Sequence, residues 1–243
     1  MNLIIEQGNT AVKVAVYDRK EMLISAVYEK FGVSELFPIL EQYPLENGIL
    51  SSVATPADEW VEVLGARLKY FLVLDCRVKL PVEVRYLTPE TLGNDRIAAA
   101  VGANFLQPDK DVLIIDAGTA ITYEIVEASG AYLGGNISPG MTMRFRALHR
   151  YTEKLPLVGA QEWIPWMGTT TETAIQAGVV NGIVYEMDGY IHEVRKKYPD
   201  VFVFLTGGHS FYFERRLKNS IFAAINLVLV GLNRILEYNV EKQ

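Results

Sequence analysis

Two short segments, 110 residues apart, carry the same order of chemistry-bearing residues. Glu6-Gln7-Gly8-Asn9-Thr10 follows Leu3-Ile4-Ile5, and Asp116-Ala117-Gly118-Thr119-Ala120 follows Leu113-Ile114-Ile115. In each, an apolar run that reads as a buried strand delivers a carboxylate, then a glycine and hydroxyl or amide side chains at a tight turn. Glycine lets backbone N–H groups approach an anion closely, Asn and Thr add hydrogen bonds, and the carboxylate can hold a cation that neutralises phosphate. Two such turns would face each other across one nucleotide. Unrelated edge hairpins would also spell such strings, but each copy is followed by a second apolar run, residues 11–16 and 120–126, which favours a duplicated scaffold. A third candidate, Gly93-Asn94-Asp95-Arg96, precedes the small-residue run 97–105 and so stands at a helix start. There an Asp can accept a hydroxyl proton and the planar Arg fork can hold a carboxylate. Taken alone, the same four residues read more simply as an N-cap Asp beside a solvated Arg.

The elements that must position these groups follow from periodicity. Strands are expected at residues 3–6, 11–17 and 22–28 as an antiparallel meander turning at Asp18-Arg19. A helix start follows at Thr55-Pro56 with Asp58 and Glu59 in the first turn, carrying Trp60, Val61, Leu64 and Leu68 at helical spacing. Short strands at 71–74 and 82–86 precede the 97–105 helix, whose small residues imply close packing. The order then repeats: strands at 112–116, 120–126 and 131–137, with a Ser129-Gly130 turn, then helices at 141–149, 171–197 and 222–237. Between the last two helices, strand 201–205 runs into Thr206-Gly207-Gly208-His209, which suits either a close approach to a ligand or a tight turn. Gly178 and Gly182, four apart on the 171–197 helix, would permit close contact across a two-fold axis, although packing within the chain is their ordinary reading.

Composition narrows the function classes. Half of the 243 residues are apolar and 21% charged, enough for a sizeable core in one large domain or two similar halves. A net charge of −6, without a basic run, disfavours sequence-independent nucleic-acid binding. The single cysteine, Cys76, excludes an internal disulfide framework and a cysteine-cluster metal site, and fits a reducing compartment. His149, His192 and His209 lack metal-ligand spacing. The N-terminus has no basic lead and meets Glu6 early, so it reads as mature protein and not a secretory signal. The apolar stretch 221–236 is shorter than the roughly 20 residues of a spanning helix and contains Asn226, Asn233 and Arg234; it is expected as a core-facing helix, with no membrane partner.

Taken in order, Gly8-Asn9-Thr10 with Lys13, Gly93-x-Asp95-Arg96, Asp116-x-Gly118-Thr119-Ala120, Gly134-Gly135-Asn136-Ile137-x-Pro139-Gly140, Thr171-x-x-Ala174 and Thr206-Gly207-Gly208 resemble the type III pantothenate kinases nearly end to end. That family is a branch of the superfamily of actin, sugar kinases and Hsp70 ATPases. The resemblance implies an α/β, duplicated actin-like ATPase (ribonuclease H-like) fold, with two similar mixed-sheet halves and a nucleotide cleft between them. The halves would be residues 1–109, with the first phosphate loop and the Gly-Asn-Asp-Arg element, and 110–243, with the second loop and the Thr-Gly-Gly turn. It further implies ATP-dependent phosphorylation of pantothenate to 4'-phosphopantothenate, the first step of coenzyme A biosynthesis, in a cytoplasmic homodimer.

By the same resemblance, Asp95 is the base that takes the proton from the primary hydroxyl of pantothenate. Gly93, Asn94, Asp95, Arg96 and Tyr86 bind that substrate, with Thr171 supplied by the partner subunit. Glu6, Gln7, Gly8, Asn9, Thr10, Ala11, Val12 and Lys13 form the first ATP loop, and Thr119 contacts an ATP phosphate. Asp116 is the ligand of a monovalent cation, K⁺ or NH₄⁺, and Glu6 is a candidate for Mg²⁺. One departure stands out: the family pattern usually has Asp where this chain has Glu6, which places the carboxylate one methylene farther out. That feature favours the competing class, a non-catalytic regulatory or binding relative; the retention of Lys13, Asp95, Arg96 and Asp116 opposes it.

Overall fold

A computed structural model describes residues 1–53 and 58–242, with the side chain of Asp58 excepted. In chain order the first stretch forms β1 (Asn2–Gln7), β2 (Val12–Asp18), β3 (Glu21–Tyr28), α1 (Val33–Gln42), β4 (Asn47–Ser52), α2 (Asp58–Arg67), β5 (Tyr70–Val73), β6 (Glu83–Val84) and α3 (Asn94–Leu106). There follow β7 (Val112–Ala117), β8 (Ala120–Val126), β9 (Ala131–Pro139), α4 (Met141–Arg150), α5 (Thr171–Lys197), β10 (Phe202–Thr206), α6 (Ser210–Glu214), β11 (Phe222–Ala223) and α7 (Leu227–Val240).

The chain divides into two compact units, and the division is not a single cut at residue 109. Unit one holds residues 1–109, 126–133 and 226–243; unit two holds 110–125 and 134–225. The reason for the return of α7 to unit one is backbone contact. A Cβ on Gly102 of α3 would collide with the Leu227 carbonyl, and one on Gly231 of α7 with the Ala98 carbonyl, so the two helices cross at a distance only glycine permits. A buried amide chain pins α7 further: Asn233 Nδ2 donates to Arg19 O at 2.8 Å, Asn2 Nδ2 to Asn233 Oδ1 at 2.9 Å and Asn47 Nδ2 to Asn2 Oδ1 at 3.1 Å.

Unit one carries a sheet of order β3-β2-β1-β4-β5, antiparallel in the meander and parallel from β1 onward. Leu3, Ile5, Val14, Val16 and Leu50 point to one face, where Leu36 and Ile39 of α1 and Trp60 and Leu64 of α2 cover them. The meander, the helical spacing of Trp60 and Leu64, and the small-residue α3 match the expectations from sequence. The expected helix start at Thr55-Pro56 lies outside the described residues. Strand 82–86 shrinks to Glu83 and Val84, which pair in parallel with Ala131 and Tyr132. Helix α1 and strand β4 were not anticipated: Pro38 interrupts the helical reading of α1, and the four-residue buried run of β4 has no polar alternation to mark it.

Unit two has strand order β11-β10-β7-β8-β9, with β10 parallel to both β7 and β11. Met141 and Phe145 of α4, Ile175 to Ile191 of α5 and Phe213 of α6 bury one face over Leu113, Ile115, Ile121, Val203 and Leu205. Helix α5 has the expected bounds. The expected helix 222–237 is corrected at its start, because Phe222 packs edge-on against Phe204 at 5.7 Å between centroids and Ala224 N–H donates to Leu205 O. That makes 222–223 an edge strand, and the helix starts only at Leu227. The intrachain reading of Gly178 and Gly182 is also corrected: an added Cβ would meet nothing within 4 Å at either. No helix among the described residues is long and apolar enough to cross a membrane.

Candidate active site

The first loop is a hairpin whose acid and base are neighbours across the ladder. Register places Glu6 opposite Lys13, and directly opposed side chains start only about 5 Å apart. Lys13 Nζ therefore reaches Glu6 Oε2 at 3.0 Å, with the Glu6 side chain only 12% exposed. Oε2 has no well-directed hydrogen bond among the described residues, so charge more than geometry holds this pair. Gly8 N–H closes the turn on Ala11 O at 3.0 Å. Asn9 and Thr10 are exposed at its tip, and Val12 is buried beneath. Gln7 Oε1 accepts from Ser52 Oγ at 2.9 Å, a support from β4 that the sequence did not reveal.

With Lys13 already neutralising it, the Glu6 carboxylate does not fit a directly bound Mg²⁺; a hydrated ion touching it through water is compatible. The described residues contain no cluster of three His, Cys, Asp or Glu side chains arranged for a metal.

The Gly93 element folds as a helix start, with Gly93 in the cap position and Asp95 one residue inside α3. Asn94 Nδ2 donates to Leu74 O at 2.9 Å and Ser52 O at 3.3 Å, anchoring the start of α3 to the ends of β4 and β5. Asp95 Oδ1 accepts the Arg96 N–H at 2.8 Å. The alternative of a cap Asp with a solvated Arg is thereby corrected on both counts, since Arg96 is buried, 6% exposed. Its guanidinium carbon lies 5.6 Å from the centre of the Tyr86 ring, which in turn stands 6.3 Å from buried Tyr132. The structure thus joins Tyr86 and Arg96, ten residues apart in sequence, into one cation–π pair whose positive charge lies beside a helix N-terminus.

The second turn is built by convergence of three glycine segments on Asp116 and Thr119. Gly118 N–H bonds Ala120 O at 3.0 Å, one residue tighter than the first turn, with Thr119 exposed at its tip. Thr206 pairs with Asp116 in the parallel ladder. The next residue, Gly207, has φ +91°, and any Cβ there would strike Asp116 Oδ1 and the Ala117 backbone. Gly140 N–H donates to Thr119 O at 3.1 Å, and its missing Cβ makes room for the Gly118 and Thr119 carbonyls. A carboxylate packed among backbone oxygens is the kind of all-oxygen donor set a hard cation takes.

Thr171 is the first residue of α5 and exposed. The cap is Thr170, whose hydroxyl accepts the Thr173 N–H at 3.2 Å, so the Thr171 hydroxyl is not needed for capping.

Against this geometry, residues 2–193 match the family model described as type III pantothenate kinase. The type III pantothenate kinase of Phocaeicola vulgatus is 49% identical over 240 residues, 98% of this chain and 99% of that one. The chain belongs to the type III pantothenate kinase family. Two solved structures show the same fold at low identity. The activator of the 2-hydroxyisocaproyl-CoA dehydratase from Clostridium difficile, with bound ADPNP, gives TM-score 0.55 at 14% identity, over 99% of this chain and 94% of that one. The inorganic polyphosphate/ATP-glucomannokinase from Arthrobacter sp. strain KM gives 0.50 at 13% identity over all of both chains. The fold is the duplicated actin-like, ribonuclease H-like one.

Proposed function

We propose that the chain carries out its family's reaction, ATP-dependent phosphorylation of pantothenate to 4'-phosphopantothenate in coenzyme A biosynthesis, in the cytoplasm and as a homodimer. The observation that carries this reading, beyond family membership, is the trio Asp95, Arg96 and Tyr86: a carboxylate that accepts the Arg96 backbone N–H at a helix N-terminus, followed by a buried arginine whose guanidinium lies over the Tyr86 ring. Pantothenate offers a carboxylate and a primary hydroxyl. Arg96 takes the former through its planar fork, and Tyr86 holds Arg96 in place. Asp95 Oδ1 is committed to the Arg96 N–H, so the second oxygen accepts the proton of the hydroxyl as that oxygen attacks the γ-phosphoryl. The amide of Asn94 is spent on Leu74 and Ser52, so its part is to hold this start of α3 for the Gly93 loop.

Phosphoryl transfer asks the protein mainly for position and charge. The first loop, Glu6 to Lys13, receives ATP with Lys13 turning from Glu6 to a phosphate oxygen, and Thr119 contacts phosphate from the second turn. Magnesium enters as MgATP. A monovalent cation, K⁺ or NH₄⁺, when bound at Asp116 supplies positive charge for the nucleotide phosphates. The homodimer reading, with Thr171 acting in the partner's site, is supported by the open face of α5. Gly178, Gly182 and Gly189 have nothing within 4 Å of an added Cβ, and Tyr185 on that helix is 58% exposed.

A coupled assay with pantothenate, ATP, Mg²⁺ and K⁺ tests the activity; no turnover there supports the non-catalytic class instead. Asp95→Asn keeps shape and removes proton acceptance, so kcat is expected to fall by about 100-fold or more with the melting temperature unchanged. Near-normal turnover would overturn the role of Asp95.

A further inference from the structure

Arg144 stands in the first turn of α4, where a cation opposes the helix macrodipole and gains nothing from it. Its side chain turns back out of the helix. Nε donates to Pro139 O at 2.8 Å, and Nη2 donates to Ser138 Oγ at 2.8 Å and to Glu186 Oε2 of α5 at 2.5 Å. The other Glu186 oxygen accepts the Tyr123 hydroxyl at 2.8 Å. Burial alone would raise the Glu186 carboxyl, but bonds from Arg144, Tyr123 and Ser138 outweigh it and hold the group below the ordinary carboxylate range. The pair is therefore ionised at neutral pH, with Arg144 20% and Glu186 24% exposed. It gathers β8, the end of β9, α4 and α5 around one guanidinium.

What the guanidinium grips is the segment that backs the second turn. Pro139 precedes Gly140, whose N–H bonds Thr119 O and whose bare Cα is the only surface that fits against the Gly118 and Thr119 carbonyls. Arg144 N–H also bonds Gly140 O at 2.9 Å, so main chain and side chain of one residue hold both ends of the Pro139-Gly140 unit. We propose that Arg144, oriented by Glu186 and Tyr123, is a positioning residue for the Gly118-Thr119 turn, setting where that turn meets the phosphates of ATP. This rests on the reading of Thr119 as an ATP-phosphate contact. Arg144 touches no substrate itself; it acts through Pro139 and Gly140. Displacement of a substrate-positioning backbone by about 1 Å can cost on the order of 100-fold in rate, so a remote grip of this kind has a measurable consequence.

Steady-state kinetics of the full-length enzyme, with ATP and pantothenate varied separately, tests the role. Arg144→Met is expected to lower kcat/KM for ATP by about tenfold to 100-fold while KM for pantothenate stays within about twofold. Arg144→Lys, which keeps one directed donor but not the fork, recovers part of that loss. Tyr123→Phe removes only a hydroxyl and preserves shape, so it reports even if Arg144→Met does not fold; it should show the same selective loss at about threefold. Thr119→Val separates the two layers of the argument. If that variant leaves KM for ATP unchanged, the phosphate role of the turn is wrong. If it raises KM for ATP while Arg144→Met, Arg144→Lys and Tyr123→Phe do not, the turn stands and the positioning role of Arg144 is overturned. Equal losses for both substrates in the Arg144 and Tyr123 variants would likewise reduce the cluster to a structural one.

Discussion

The β1–β2 and β7–β8 hairpins share a spelling but handle their acid differently. In the first, Glu6 has its counter-charge built in: Lys13 stands opposite in the ladder, 3.0 Å away. In the second there is no Lys or Arg between Asp116 and Arg144, so whatever balances Asp116 comes from outside the hairpin. Backbone support divides the same way. The Gly8 turn is closed by its own Ala11, whereas the Gly118 turn is buttressed by Gly140 and backed by Gly207 from two other segments. A hairpin that carries its own cation can adjust when a phosphate arrives, because a lysine side chain moves without moving backbone. One that depends on packed glycines offers a fixed carboxylate and a fixed turn. Duplication therefore supplied one adaptable loop and one rigid one.

The largest effect is expected where the rigid loop is broken. Gly207→Ala forces a Cβ onto Asp116 Oδ1 at φ +91°, where an L side chain is already strained by about 1–3 kcal/mol. Thermal melting is expected to drop by several degrees, with loss of most activity at 25 °C. A folded, fully active Gly207→Ala protein would show that the second turn is not rigid, and the contrast between the loops would collapse. Asp116→Asn is gentler on packing and sharper on chemistry. It should leave melting nearly unchanged while the activation of the enzyme by K⁺ or NH₄⁺ disappears in a salt titration. An unaltered cation response would move the cation elsewhere.

Much of this contrast was legible before any coordinates, and the rest was hidden for identifiable reasons. Both hairpins could be read because a continuous apolar run too short for a helix, ending in a carboxylate and a glycine turn, reads as a buried strand, and α5 because Thr171 opens a long helical period. The Glu6–Lys13 pair could not be read: six residues separate the two, and which residues oppose each other depends on a turn length that spelling does not settle. Arg96 looked solvated because its partner, Tyr86, lies ten residues upstream and reaches it only through the fold. The start of α7 was misplaced because an apolar run such as 221–226 carries no period of its own; Phe202 and Phe204 on the neighbouring strand decide that its first part is an edge strand.

On the adaptable side, Lys13→Met keeps most of the side-chain volume and removes the charge. KM for ATP is expected to rise by about tenfold, the loss of one charge-assisted hydrogen bond to phosphate, with KM for pantothenate unaffected. If KM for ATP does not move, Lys13 serves only to neutralise Glu6, and the first hairpin is as fixed in role as the second.

The finest test is Glu6→Asp, which keeps the charge and shortens the reach by about 1.5 Å, one C–C bond. From 3.0 Å in the present pair, that retreat takes the carboxylate out of direct contact with Lys13 unless the strands shift, and strands held by a six-residue register do not shift cheaply. Lys13 is then released in the empty enzyme and need not be detached from Glu6 when ATP binds. The pair is partly buried, Glu6 the more so, and the cost of desolvating both charges offsets much of their attraction, which keeps the gain small: KM for ATP should fall by about twofold to fivefold, with kcat nearly constant. A rise in KM instead would mean that the loop has been rebuilt around the longer acid, and that Glu6 positions Lys13 for phosphate and does not hold it back.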